Sequence, residues 1–185
     1  MHADRVTLRD GTNLPSAATV WTAGFGVPNL AAASGLTTDR LGRLLTDETL
    51  TSIDDERVVA AGDAAAPSGQ PLRMSCQAAC PMGVQAANTV LSRIACDAPA
   101  ALSQAFVGQC ISLGRTHATV QFSRTDDTPV NMFLGGRAAA SVKEAICKGT
   151  VWSIRREAAK PGSYRWIKGG KRPAQLPTEE GVAAR

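Results

Sequence analysis

The sequence has no long uninterrupted run of apolar residues. No window approaches the roughly twenty apolar residues that a membrane-spanning helix needs. The first ten residues include His2, Asp4, Arg5 and Asp10, a polar set that a secretory signal peptide would not carry. We therefore expect a cytoplasmic protein, and a peripheral position at the inner face of the membrane stays open.

Histidine is scarce, and the cysteines form no recognisable framework. The chain has two histidines, His2 and His117, and five cysteines at irregular spacing, which fits a reducing compartment better than a disulfide framework. Cys76 and Cys80 would share one face of a helix, which tolerates Pro81 only if Cys80 lies in its first turn. Their spacing is not the redox-active Cys-x-x-Cys, and no metal site is expected. Three cysteines are predicted to be small buried apolar residues: Cys96, Cys110 and Cys147.

A complete glycine fingerprint for dinucleotide phosphates is also missing. The pattern Gly-x-Gly-x-x-Gly, set between a strand and a helix, holds the pyrophosphate of a dinucleotide. The nearest candidate, residues 24–29 (Gly-Phe-Gly-Val-Pro-Asn), has Asn29 where the third glycine belongs. The fingerprint is therefore incomplete, and Pro28 allows a helix over residues 29–34.

The most informative segment that is present surrounds Asp63. Residues 57–61 form an almost wholly apolar run, which predicts a strand buried on both faces of a parallel sheet. Gly62 permits a sharp turn, and Asp63 follows at the carboxyl edge of that strand, where open α/β sheets bind ligands. A carboxylate there accepts a hydrogen bond from a ligand hydroxyl. The alternative is that Asp63 caps the next helix.

Two further blocks accompany this segment. Residues 19–25 (Thr-Val-Trp-Thr-Ala-Gly-Phe) precede it, and residues 73–79 (Arg-Met-Ser-Cys-Gln-Ala-Ala) follow it. Together the three blocks resemble the C-terminal half of flavoproteins with two dinucleotide-binding domains, in the branch of type II NADH dehydrogenases and related pyridine nucleotide-disulfide oxidoreductases. The resemblance implies an α/β fold class, with a partial FAD/NAD(P)-binding Rossmann-like domain followed by a small α+β C-terminal domain.

The resemblance also implies a function and a set of binding residues. The complete enzyme would be an FAD-dependent oxidoreductase that transfers a hydride from NAD(P)H to FAD and passes electrons to an acceptor such as a quinone. Asp63 would bond the ribityl or pyrophosphate region of FAD, and helix amides near Cys76 would face the pyrimidine edge of its ring. No catalytic acid or base is assigned. The implied cofactor-binding residues are Gly24, Gly62, Asp63, Ala64, Met74, Cys76, Gln77 and Ala78.

Periodicity and turn signals predict the other elements. Residues 4–12 alternate like a strand and contain an Asp-Gly hairpin signal, and residues 74–97 should form a helix that packs on the sheet. The apolar positions of that helix are Val84, Val90, Leu91 and Ile94.

The following part of the chain is predicted to be α+β. Residues 109–115 and 118–123 should pair as a hairpin that turns at positions 116 and 117, and residues 130–134 should add a third strand. An amphipathic helix should cover residues 137–147 and stop at Gly149. Its apolar positions are Val142, Ala145 and Ile146.

These elements and the resemblance together suggest four parts. Residues 1–24 would end an NAD(P)-binding domain and cross over, residues 25–97 would be the second part of an FAD-binding domain, and residues 98–168 would be the small C-terminal domain. The Gly/Pro/Lys-rich residues 169–185 predict a disordered tail. The first partner implied is then an N-terminal flavin- and NAD-binding half.

Positive charge is concentrated at the C-terminal end. From residue 143 onward there are ten Lys or Arg against four Glu, although the whole chain carries only +4. A solvated face or a peripheral membrane contact explains this charge, and no nucleic acid partner is expected because no reading motif accompanies it. Three aromatic residues alternate with the cations as interfacial anchors do: Trp152, Tyr164 and Trp166.

Two alternative functions stay open at this point. Sulfide:quinone reductases belong to the same superfamily and carry sulfur on cysteines near the flavin, a role open to Cys76 and Cys80. A catalytically incomplete fragment could instead serve as an interaction module through its hairpin and basic helix, as a homodimer or with another protein. Asp63 would matter to the flavoenzyme and not to the interaction module.

Overall fold

The computed structural model describes residues 4–20 and 25–169. Within these ranges the chain is mixed α/β with small sheets, which is compatible with the predicted α/β class. The predicted crossover at positions 22–24 and the predicted tail after residue 169 lie outside the described residues. The elements are β1 Arg5–Thr7, β2 Asn13–Pro15, α1 Leu30–Ala33, β3 Leu44–Thr46, β4 Ala65–Pro67, α2 Cys76–Ile94, β5 Gly108–Leu113, β6 His117–Ser123, β7 Pro129–Gly135 and α3 Gly136–Ala159.

The N-terminal hairpin forms as its Asp-Gly signal predicts. β1 and β2 pair antiparallel, with Arg5 opposite Pro15. Asp10 Oδ1 accepts from the amide of Thr12 at 2.9 Å, and Gly11 takes a φ of +87°, which glycine adopts without steric cost. The short α1 lies inside the helix predicted over residues 29–34.

The predicted strand before Asp63 is wrong. Residues 57–61 contain only one isolated antiparallel bridge, between Val59 and Thr51. The parallel pairing lies after the Gly-Asp pair, where β4 pairs with β3 and places Leu45 opposite Ala66. These two strands are buried along their whole length, as both-face burial in a parallel pair requires.

Helix α2 forms close to the predicted range but packs through a different face. Ser75 is its N-cap, and its Oγ accepts from the Ala78 amide at 3.4 Å. The predicted apolar face is largely exposed, with Leu91 at 61% and Ile94 at 75%. Five other residues of α2 are buried: Ala78, Pro81, Met82, Gln85 and Thr89.

Polar residues can occupy that buried face because they satisfy loop carbonyls. Gln85 Nε2 donates to Ala100 O at 2.7 Å, and Thr89 Oγ1 donates to Thr49 O at 2.7 Å. Each bond satisfies the polar group of a buried side chain with a backbone acceptor. Hydrophobic periodicity in the sequence does not predict the buried face of α2, because part of that face is polar.

The C-terminal part is a three-stranded antiparallel sheet covered by α3. The strand order is β5-β6-β7, with the first turn at residues 114–116 and His117 already in β6. The predicted stop at Gly149 is wrong, because α3 continues to Ala159 and ends before Pro161. The contact side of α3 is also misassigned: Ala139 is buried, whereas Val142 is 39% and Ile146 46% exposed.

Two buried clusters support these parts. Leu50, Ala65, Met82 and Leu102 form one, and Ala118, Val120 and Ala139 form the other. All five cysteines are free. The prediction that three of them are buried is wrong for Cys96 and Cys147, which are exposed, whereas Cys110 is half-buried against the second cluster.

Candidate functional site

The Gly62-Asp63 segment forms a single 3-10 turn that lies against the start of α2. Gly62 has a φ of +69°, and a side chain added there would meet Ala79 Cβ at 3.6 Å. The positive φ is what favours glycine here, since the distance to Ala79 is an ordinary van der Waals contact. The turn therefore brings Asp63 and Ala64 beside the first turns of α2.

Asp63 is exposed in this turn. The helix-cap alternative is wrong, because β4 follows the turn and the next helix is capped by Ser75. Within residues 4–20 and 25–169, the Asp63 carboxylate has no hydrogen-bond or ion-pair partner in the chain. Both of its oxygens are thus available as acceptors.

The N-terminus of α2, against which this turn lies, supplies hydrogen-bond donors. Cys76 is the exposed first residue of the helix. Since the first amides of a helix have no intrahelical acceptor, those of Cys76 and Gln77 stay available, whereas the Ala78 amide bonds Ser75. Ala78 itself is 2% exposed, and Met74 is half-buried just before the cap.

An ion pair holds this helix end against the C-terminal sheet. The Arg73 guanidinium donates twice to Asp127, at 2.7 and 3.0 Å, and once to Gly108 O at 3.1 Å. The central carbon of the guanidinium, Cζ, lies 5.0 Å from the centre of the Phe106 ring. Both charged side chains are less than a third exposed, so this bidentate pair is well shielded from solvent. The helix end is therefore fixed relative to the β6–β7 turn.

The Gln77 side chain is used for structure. In the orientation of its amide that satisfies both polar atoms, Nε2 donates to Gly108 O at 2.9 Å and Oε1 accepts from Val107 N at 3.1 Å. Its backbone amide, not its side chain, is then the group that is free to meet a ligand.

Gln104 replaces a donor that Pro81 removes from α2. Proline inside a helix leaves the carbonyl four residues earlier without its amide partner, and here that carbonyl belongs to Gln77. Gln104 Nε2 donates to it at 3.0 Å and to Ala105 O at 2.7 Å. The expectation that the helix tolerates Pro81 only if Cys80 lies in its first turn is wrong, because the helix begins at Cys76 and Cys80 is its fifth residue.

Cys80, on α2, lies beside Tyr164, which follows α3 in the chain. Burial raises the pKa of the Cys80 thiol, and the Tyr164 hydrogen bond offsets part of that increase. Burial, followed by Cys80, raises the pKa of Tyr164 to about 12. A thiol with a raised pKa is a weak nucleophile at neutral pH.

The structure thus joins only some of the sequence-derived site residues. The turn of Gly62, Asp63 and Ala64 lies against the start of α2, the helix that Cys76 and Gln77 begin, whereas Gly24 lies outside the described residues. Sequence reasoning missed Arg73 and Gln104 as organising residues. Helix-breaking Pro81 was the one available signal that a distant donor is needed, and nothing in the sequence pointed to Asp127 as the partner of Arg73.

Neither metal ligation nor membrane crossing is found in the described part of the chain. Over residues 4–20 and 25–169, no three His, Cys, Asp or Glu side chains converge as metal ligands. None of the helices in the same ranges has both the length and the hydropathy that crossing a bilayer demands. Of the three aromatic residues expected as anchors, Trp152 is 60% exposed on α3. Tyr164 and Trp166 are half-buried, and Trp166 Nε1 donates to Ser103 O at 2.8 Å.

Comparison with known proteins gives one distant likeness. No protein-family model matches the chain. Over 90 residues, 47% of its length, the chain is 39% identical to NADH dehydrogenase-like proteins from two strains of Mycobacterium tuberculosis, CDC 1551/Oshkosh and H37Rv. The match spans 22% of the length of each relative. Part of this chain is thus similar to part of an NADH dehydrogenase-like protein.

Proposed function

We propose that this chain is the C-terminal portion of an FAD-dependent oxidoreductase, which takes a hydride from NAD(P)H and passes electrons to an acceptor such as a quinone. One observation carries the proposal: an exposed, unpaired Asp63 lies in a turn that packs against the start of α2, whose first amides are free, in a chain similar over 90 residues to NADH dehydrogenase-like proteins. The parallel β3–β4 pair and α2 would then belong to a Rossmann-like FAD-binding domain.

The donors and acceptors present suit part of a flavin. An exposed carboxylate accepts from ribityl hydroxyls, and free helix amides donate to the carbonyl and nitrogen atoms of the pyrimidine edge. Residues for the pyrophosphate are not among those assembled here. The proposed N-terminal half would supply them.

When bound, FAD supplies the hydride and electron-transfer chemistry. The chain's own contribution is positional and electrostatic. The positive end of α2 stabilises negative charge that develops near Cys76 and Gln77, and Asp63 orients hydroxyl groups. The Arg73–Asp127 pair keeps that helix end in place.

The domain and partner assignments are part of the same proposal. Residues 25–97 would serve the flavin, and residues 98–168 would form the small C-terminal domain. Leu30 and Ile94, each about three-quarters exposed, would contact the N-terminal half. The exposed apolar residues of α3 around Trp152 would meet a second copy or a membrane surface.

The sulfide:quinone alternative is less favoured. Carrying sulfur requires a reactive thiolate, and burial raises the pKa of Cys80. The interaction-module alternative is kept as a direct competitor, since it does not require Asp63 to bind anything.

Flavin retention separates these functions. FAD would be mixed with the chain alone, and with the chain plus the N-terminal portion of the mycobacterial relative. Flavin absorbance after gel filtration and circular dichroism would then be recorded. We expect Asp63→Asn to weaken retention roughly 10- to 100-fold, as the loss of a charged hydrogen bond does, and Asp97→Asn, at an exposed site beyond α2, to leave it unchanged.

Either result has a clear meaning. Retention by the chain alone would mean that this portion holds flavin unaided, and retention only in the mixture would mean that the N-terminal half is needed. The interaction module would be favoured if the folded chain retained no flavin in either arrangement. It would also be favoured if Asp63→Asn left flavin retention unchanged.

A further inference from the structure

A basic cleft lies between the β5–β6 turn and the first three turns of α3. It is a shallow cleft that is open to solvent, with a volume of about 940 Å³. Arg115 enters it from the turn, and Arg137 and Lys143 enter from the helix. Three hydroxyl side chains share the lining: Ser112, Thr116 and Ser141.

The cations of this cleft lack protein partners. In the described ranges, Arg115, Arg137 and Lys143 take part in no ion pair. The one carboxylate in the lining, Glu144, is paired with Lys148 at 3.3 Å. The cleft therefore presents an excess of positive charge, held by two elements that face each other.

The start of α3 adds an independent observation. Gly135 is its N-cap, no side chain caps the helix, and no acid lies in its first turn. Arg137 occupies that turn instead, where the helix dipole disfavours a cation. A bound anion would offset both the dipole and the guanidinium charge.

We propose that this cleft binds a small ligand with two linked phosphate groups, of the nucleoside diphosphate class. Guanidinium groups match phosphate oxygens in pairs, and the lysine and the hydroxyl groups add single contacts. The volume leaves room for more than the phosphates alone. None of the residues proposed to bind flavin lines the cleft, so this site does not depend on the proposed function.

Calorimetric titration of the 185-residue chain tests the proposal. ADP and inorganic pyrophosphate would be titrated at low salt, with inorganic phosphate for comparison. We expect both diphosphates to bind more tightly than phosphate, and Arg115→Gln and Arg137→Gln each to weaken binding roughly tenfold. Arg124→Gln is the matched control, because Arg124 is exposed just after the other end of β6 and the charge change is the same.

Cys147 gives a second readout. It lines the cleft and is exposed, so a bound ligand should slow its alkylation by N-ethylmaleimide. Cys96, exposed just after α2, should keep its rate. Peptide mass spectrometry would follow both sites.

Several outcomes would overturn the proposal. They are absence of binding by either diphosphate, equal weakening by Arg124→Gln, and unchanged alkylation of Cys147 at saturating ADP. Tighter binding of a single-stranded RNA oligonucleotide than of ADP would also reject the small-ligand site in favour of a polymer surface. Circular dichroism of each variant would confirm that the chain is folded.

Discussion

The two halves of the described chain differ in how they are held together. Residues 44–106, the parallel region, contain strands of only three residues but bury Leu50 completely and Met82 to 1% exposure. Residues 108–159, the hairpin region, contain strands of six and seven residues and a helix of 24, yet their buried cluster consists of Ala118, Val120 and Ala139. The parallel region thus buries large apolar side chains with little regular secondary structure, whereas the hairpin region has long regular elements and buries few large side chains.

The difference follows from the source of the contacts. In the hairpin region each strand pairs with its neighbour in sequence, so short-range signals and few apolar side chains suffice. In the parallel region β3 and β4 are about twenty residues apart, and side chains such as Gln85 and Thr89 join distant loops. Its stability should therefore depend more on individual buried residues.

The largest effect should come from truncation in the parallel region. Met82→Ala leaves a cavity beside Leu50, Ala65 and Leu102, and we expect it to lower the free energy of unfolding by about 2 to 5 kcal/mol. Urea denaturation would measure this. Met132→Ala in β7, 56% exposed, is the matched control and should change stability little. Equal losses from both variants would contradict the contrast between the regions.

Breaking the link between the regions should come next. Arg73→Gln removes both bonds to Asp127, with an expected cost of about 1 to 3 kcal/mol. A double-mutant cycle with Asp127→Asn would report the coupling, and Arg124→Gln should leave the urea midpoint unchanged. Zero coupling would mean that the two regions are joined by other contacts.

The Gln104 contact should have a smaller and conditional effect. Gln104→Leu removes the donor to Gln77 O, at a cost of about 1 kcal/mol; the loss is limited because Gln104 Oε1 is buried without a partner in the described chain. Pro81→Ala restores the backbone donor. In that background the Gln104→Leu change should cost less. An unchanged cost would show that Gln104 does not act for Pro81.

The smallest effect concerns proton binding by Tyr164, the single tyrosine of the chain. Its pKa is raised from 10.0 to about 12, so the folded state holds this proton more tightly than the unfolded chain. The associated stability is complete below about pH 10 and is lost as the pH rises from 10 toward 12. Absorbance at 295 nm should titrate later in the folded chain than in urea. Cys80→Ala should move the folded titration to slightly lower pH, and a titration identical to that in urea would contradict the half-buried position of Tyr164.

The sequence predicted local elements better than their packing. The β1–β2 hairpin, the three strands of the hairpin region and α2 follow from turn residues, alternation and helical periodicity, signals carried by residues close together in the sequence. The buried faces of α2 and α3 do not follow, because Gln85 and Thr89 are buried by hydrogen bonds to loops that are distant in sequence. The prediction of a strand before Asp63 was wrong because an apolar run does not specify whether a neighbouring strand is present to pair with it.

The candidate site shows the same division. That Gly62 makes a turn and that a helix opens near Cys76 could be deduced from residue types alone. That the Gln77 side chain is engaged by residues 107 and 108, and that Asp127 holds Arg73, depends on tertiary contacts across 30 to 54 positions. The flavin-binding roles are proposals that the retention experiment tests.

The return of the chain after α3 constrains the order of folding. Trp166 and Gly169 bond Ser103 across 63 and 66 positions, and Ala105 N donates to Ile167 O. Bringing the two ends of this long segment together costs conformational entropy. That cost is smaller once the intervening sheet and helix have folded, because they hold the ends close to each other. During synthesis, more than sixty further residues must be added before residues 103–105 can form these hydrogen bonds. We therefore expect this closure to be a late step in folding, after the hairpin region has formed.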